Sequence, residues 1–147
     1  MKIIVIDGQG GRMGSLVIEK IKEAGIKESV IAIGTNSMAT SSMLKAGADR
    51  AATGENPVIV NSRSADFIIG PVGIIAADSL LGEITPAMAN AVSSCCAYKI
   101  LLPSSRCNHY IAGLKDIPLS EQVADAVEKL KEKLSDIAFS SHDSSDC

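Results

Sequence analysis

The sequence predicts an α/β fold: a doubly wound, mostly parallel sheet with helices on both of its faces. Three observations carry this. Short runs of Ile and Val without polar alternation recur along the chain, as expected of strands buried on both faces. Helical stretches closed by glycines or proline signals separate them. A glycine cluster follows the first apolar run directly and opens the first helix.

The first strand is Lys2-Ile3-Ile4-Val5-Ile6, and the cluster Gly8 to Gly14 follows it. The next helix has apolar positions Met13, Leu16, Val17, Ile21 and Ala24, and Gly25 ends it. Ser29 to Ile33 is a second buried strand. Ser37 to Ala46 reads as a helix closed by Gly47, with Met38 and Met43 expected to pack. Asp49 to Thr53 is expected as a short edge strand, and Glu55 to Ser62 as a short helix capped by Thr53. Asp66 to Ile69 is another buried strand, ending at Gly70-Pro71. The stretch Val72 to Glu83 fits no regular element. Thr85-Pro86 pairs a capping residue with proline at the first helical position, starting a helix that runs to about Cys95. Tyr98 to Leu102 is a strand, and His109 to Leu114 is expected as the last one. The final helix starts between Pro118 and Glu121, with the stripe Leu119, Val123, Ala126, Val127, Leu130, Leu134 and Ile137. Asp125 and Lys129 are placed to pair across one turn. Right-handed crossovers then favour the strand order 3-2-1-4-5-6, a Rossmann-like arrangement. Residues 1–138 form the single expected domain, and 139–147 a polar, frayed tail.

Composition narrows the function. The 147 residues are 46% hydrophobic and 21% charged, enough for a packed core. A net charge of −3 argues against a general nucleic-acid binder, which needs a Lys/Arg surplus. With 3% aromatics and no Trp, a base-stacking platform is not expected either. No apolar run reaches the roughly 18–20 residues that span a membrane, and the first residues do not read as a signal peptide. A cytoplasmic protein is expected, with Cys95, Cys96, Cys107 and Cys147 reduced. The cysteines form no CxxC pair, and His109 and His142 are the two histidines, so no metal site is expected.

Gly8, Gly11 and Gly14 fall between a strand and a helix in the spacing G-x-x-G-x-x-G. Glycine there allows positive φ and close approach of an anion to the backbone. The helix behind it offers unpaired N–H groups and the positive end of its dipole. A phosphate or pyrophosphate is the natural guest, with Gly8, Gly10, Gly11, Arg12, Met13 and Gly14 as its binding residues. Two features depart from a standard dinucleotide site. Asp7 precedes the first glycine, where its charge would repel a pyrophosphate or hold a cation. The carboxylate expected after the second strand, to bind the ribose of NAD, is replaced by Gly34-Thr35-Asn36-Ser37. Thr35 and Asn36 can hydrogen-bond a ribose or a 2′-phosphate, so NAD and NADP both stay open.

The run Gly10-Gly11-Arg12-Met13-Gly14 resembles the N-terminal nucleotide-binding turn of dihydrodipicolinate reductase, over residues 1 to about 35. That family's paired-histidine catalytic stretch is absent here, so the resemblance implies a nucleotide site and not the reductase activity. The chain as a whole resembles a family of small bacterial proteins of unknown function. The likeness rests on Ile6-Asp7-Gly8-Gln9-Gly10-Gly11, Gly34-Thr35-Asn36, Leu44 to Asp49, Thr53-Gly54-Glu55-Asn56, Gly70-Pro71-Val72-Gly73-Ile74, Gly82 to Met88 and Arg106-Cys107-Asn108. It implies a common fold and no known activity.

In an open parallel sheet, the loops after the strands converge on one edge, where ligands sit. That edge should gather the glycine turn, Gly34 to Ser37, Gly70 to Gly73, and Pro103 to Asn108. Gly70 and Pro71 would pass under a ligand; Ser104, Ser105 and Arg106 would supply hydroxyls and a cation to a substrate phosphate or carboxylate. Cys107 is the candidate nucleophile, beside Arg106 and near His109. Asp78 and Glu83 form a weaker candidate carboxylate pair. The expected function is a small nucleotide- or dinucleotide-binding domain that takes a phosphate-bearing ligand and senses or carries it. The alternatives are a small NAD(P)-dependent oxidoreductase acting as a homodimer, and a protein-interaction module with an empty pocket.

Overall fold

The computed structural model describes residues 1–104 and 108–140. Five strands form one sheet: β1 (Lys2–Asp7), β2 (Ser29–Gly34), β3 (Arg50–Thr53), β4 (Phe67–Pro71) and β5 (Tyr98–Leu102). Every pairing is parallel, and the order is β3-β2-β1-β4-β5. The helices are α1 (Arg12–Glu23), α2 (Ser37–Lys45), α3 (Glu55–Ser62), α4 (Pro86–Ser94) and α5 (Leu119–Phe139).

The pleat of β1 shows why the sheet is covered on both faces. Ile3 and Val5 point into a core with Val17, Ile18, Ile21, Met43, Val127 and Leu130, which belong to α1, α2 and α5. Ile4 and Ile6 point the other way, against Val58, Ile74, Met88 and Val92, from α3, α4 and the turn between β4 and α4. All four β1 side chains are fully buried. Each contributes about 1.5–3 kcal/mol to folding by leaving water, which is why β1 tolerates no polar alternation.

The chain winds outward from β1 through α1 and α2 on one face, crosses to the other with α3, and returns to the first with α5. Neighbouring crossovers therefore leave β1 and β4 in opposite directions, and a crevice opens between their carboxyl ends. Side-chain caps set two helix starts: Asn36 accepts the Ala39 N–H (2.9 Å), and Thr85 accepts the Met88 N–H (3.1 Å) with Pro86 behind it.

Several expectations change. Residues His109 to Leu114 form no sixth strand. Asn108 and Gly113 have φ of 51° and 83°, and Tyr110 is 89% exposed, which suits a loop and not a buried strand. The cap of α3 is Gly54, with no side-chain bond from Thr53. Met38 is solvent-exposed while Met43 and Met88 are buried. Ile137 leaves the α5 stripe and is exposed. Lys129 pairs with Glu132 at 2.7 Å, where Asp125 was the expected partner. Cys95 is a free thiol, but Cys96 is disulfide-bonded, against the expectation of reduced cysteines.

Gly70 and Gly10 make a contrast that tests this packing. A Cβ on Gly70 would strike the Ile6 carbonyl oxygen of the adjacent strand, whereas one on Gly10 meets nothing within 4 Å. Gly70→Ala should lose about 1–3 kcal/mol in urea denaturation, and Gly10→Ala should stay within about 0.5 kcal/mol of the parent.

Candidate functional site

The glycine turn leaves β1 at Asp7 and enters α1 through Gly11, whose φ of +71° puts it in the left-handed region. A Cβ there would lie 2.8 Å from the Ala39 backbone, so glycine is required both for φ and for the close approach of α2. Gly14 has a similar packing role: its Cβ would lie 2.5 Å from Met43 Sδ and 2.9 Å from Asp7 Cβ.

Asp7 organises the turn. Its carboxylate is buried, with 6% of the residue exposed. One oxygen accepts the Gly8 N–H at 2.8 Å; the other accepts the Gly14 N–H at 2.7 Å. Within the chain itself, then, a negative group already sits at the start of α1, where the helix dipole favours it. Burial pushes the Asp7 carboxyl above its ordinary 3.8. The N–H groups of Gly14, Gly8 and Met13 oppose that rise, and the Glu83 charge adds to it.

Glu83 reaches the same turn from the loop between β4 and α4. Its Oε2 accepts the Gln9 N–H at 2.7 Å, and its Oε1 accepts Asn36 Nδ2 at 2.8 Å. Asn36 Nδ2 also donates to the Gln9 carbonyl at 2.9 Å. The loop that delivers Glu83 holds Asp78, Leu80 and Leu81 at φ of 62°, 54° and 57°. Such left-handed non-glycine residues cost about 1–3 kcal/mol each and persist only where surroundings fix them. Here Leu80 and Ile84 are buried, and the Ser79 hydroxyl donates to the Gly73 carbonyl at 2.5 Å.

A cleft of about 210 Å³ opens over the turn, lined by Asp7, the consecutive residues Gly8 to Met13, Pro71, Leu80, Ser104 and Leu119. A wider hollow of about 370 Å³ shares Met13, Ser104 and Leu119 with it and adds Val72, His109, Lys115 and Gln122. The two lie side by side above the β1, β4 and β5 ends.

Of the expected ligand residues, Gly8, Gly10, Gly11, Arg12, Met13, Pro71 and Ser104 line the cleft. Gly14 faces Asp7 and Met43 instead. Asn36 spends its side chain on the α2 cap, Gln9 and Glu83. Thr35 Oγ1 is buried with no hydrogen-bond partner among the described residues, and Gly70 packs under Ile6 and Ile74. Ser105, Arg106 and Cys107 lie outside the described residues. Glu83 meets Gln9 and Asn36, not Asp78. Leu80, Leu119 and Gln122 were not foreseen: the first sits in a stretch with no regular pattern, and the others were read as helix residues only. Among the described residues, no group of three or more His, Cys, Asp or Glu is placed to hold a metal. No described helix is long and apolar enough to cross a membrane.

Fold and site define a Rossmann-like α/β domain with a small cleft at its glycine turn. Residues 2–135 match the family described as a domain of unknown function (DUF3842), and the chain belongs to that family. No curated protein matches it. Among solved structures, it is similar to a dodecameric FMN-dependent UbiX-like decarboxylase from Escherichia coli O157:H7. That likeness has 17% identity and a TM-score of 0.47, and covers 89% of this chain and 76% of that one.

The raised Asp7 pKa has a signed consequence. The folded protein holds the Asp7 proton more tightly than the unfolded chain does. This preference stabilises the fold fully below pH 3.8 and is lost as pH rises through the higher folded-state value. Asp7→Asn removes it. The stability of the parent relative to Asp7→Asn should therefore decline as pH rises from about 3.5 to about 7 in urea titrations. A difference that is flat or grows over that range would contradict a raised pKa.

Proposed function

We propose that this protein binds a small phosphate-bearing ligand of the nucleotide kind in the cleft over the glycine turn, as a sensing or carrying domain. The observation that carries this reading is the cleft itself, floored by six consecutive residues, Gly8 to Met13, at the crevice between β1 and β4. Asp7 limits where the phosphate can go. The Gly8 and Gly14 amides are engaged, but among the described residues the Gly10 and Arg12 N–H groups have no acceptor. A phosphate entering from the cleft side meets those two amides and the Arg12 side chain, which gives charge-assisted bonds. Its organic part then extends over Met13, Val72 and Leu119 into the wider hollow, where Ser104 and Lys115 offer polar contacts.

Thermal unfolding with NAD(H), NADP(H), FMN, AMP and GTP tests this. A bound ligand at 100 times its Kd adds about 2.7 kcal/mol of stability and raises Tm. Arg12→Ala should weaken that ligand by about tenfold or more, since a hydrogen bond to a charged group contributes about 1.5–3 kcal/mol. Absence of any shift across the panel at millimolar concentration would overturn the reading.

A further inference from the structure

A diphosphate in a crevice of this kind asks two things of the glycine turn. It needs free N–H groups at the start of the helix, and open space towards the end of the second strand, where the rest of a dinucleotide lies. This chain fills both places with its own carboxylates. Asp7 holds the Gly8 and Gly14 amides at 2.8 and 2.7 Å. Glu83 holds the Gln9 amide at 2.7 Å and ties it to Asn36, the first residue before α2, at 2.8 Å. Leu80 and Thr35 close over Gly8 from the same side: a Cβ on Gly8 would lie 2.7 Å from Thr35 Oγ1 and 3.0 Å from Leu80 Cδ1.

We infer that Asp7 and Glu83 are specificity-determining residues that make the cleft a site for a single terminal phosphate and turn away diphosphate-linked ligands, dinucleotides included. The inference rests on the phosphate reading above and narrows its ligand class. A second phosphate beside the first would have to approach the Gly14 or Gln9 amide, and there it meets a carboxylate already bonded to that amide. Like charges at such range repel strongly where protein replaces water between them. Glu83 is not free to swing away at no cost, because Leu80 and Ile84 on either side of it are anchored in the core and Asp78 N–H is bonded to the Ile84 carbonyl at 2.7 Å. The space left to a ligand runs the other way, from Met13 to Leu119 and Val72, through the cleft of about 210 Å³ and the adjoining hollow of about 370 Å³, a size within the range of small-molecule sites.

Calorimetric titration of two matched pairs, FMN with FAD and AMP with NAD, separates the outcomes. The probes are applied to the parent protein, to Glu83→Gln, to Asp7→Asn and to the double variant, each first checked for cooperative unfolding. Glu83→Gln, on a loop, keeps the test alive if Asp7→Asn does not fold. The parent should favour the monophosphate member of a pair by about tenfold or more, and that preference should shrink by about tenfold in Glu83→Gln or the double variant. A parent that binds FAD or NAD as tightly as its monophosphate counterpart overturns the inference and leaves the phosphate reading standing. A preference that is the same in parent and variants overturns the assignment to these two residues. Binding seen only in the variants overturns both the inference and the phosphate reading, because the parent's cleft then takes no phosphate at all. No binding to any of the four proteins overturns both.

Discussion

The site depends on one constraint: a buried carboxylate at the end of the central strand is bonded to the backbone that follows it. Asp7 joins the last residue of β1 to the first turn of α1 through the Gly8 and Gly14 amides. Those bonds fix the path of the glycine turn, and so where α1 begins and how close α2 comes to Gly11. A charge this deep is costly to bury. It is tolerated because two backbone donors face it directly and because the helix dipole points its positive end at it. The same arrangement changes what the turn can do. A turn of this shape ordinarily offers its amides to a ligand; here most of that offer is taken up inside the chain.

The sheet explains why the opening lies where it does. Its two faces are both packed, so neither can hold a ligand without loss of core. On the β2 side of the carboxyl edge, the loop carrying Leu80 and Glu83 lies against Gly8 and Asn36. On the β4 and β5 side, Pro71, Ser104 and the start of α5 stand back from the turn. The asymmetry comes from one loop, and the strain in its left-handed residues is offset by the burial of Leu80 and Ile84.

Much of the fold was legible in the sequence because strands buried on both faces have no choice of residue. Ile3 to Ile6, Val30 to Ile33 and Phe67 to Ile69 are apolar without alternation, and that alone implies helices above and below. The caps at Asn36 and Thr85 are equally local signals, although only the second was read as one. His109 to Leu114 misled because Tyr, Ile and Leu are good strand residues, and propensity does not show whether a sheet neighbour is within reach. The site was half legible. Spacing located the glycine turn and raised the question of Asp7, but no local pattern ties Glu83 to Gln9 and Asn36, since those contacts span 74 and 47 positions of chain. Thr35 and Asn36 were assigned to a ribose by analogy with strand ends elsewhere; the contact that occupies Asn36 comes from a loop with no recognisable periodicity.

The last helix has a thermodynamic role beyond covering the sheet. Leu119 and Gln122, in its first turn, form one wall of the opening, while Val123, Val127 and Leu130 anchor it against α1 and the sheet. The wall exists only when that helix is docked. Any guest held between Met13 and Leu119 is therefore linked to the docking equilibrium: occupancy strengthens the attachment of the helix by the guest's own binding free energy, and detachment of the helix releases the guest.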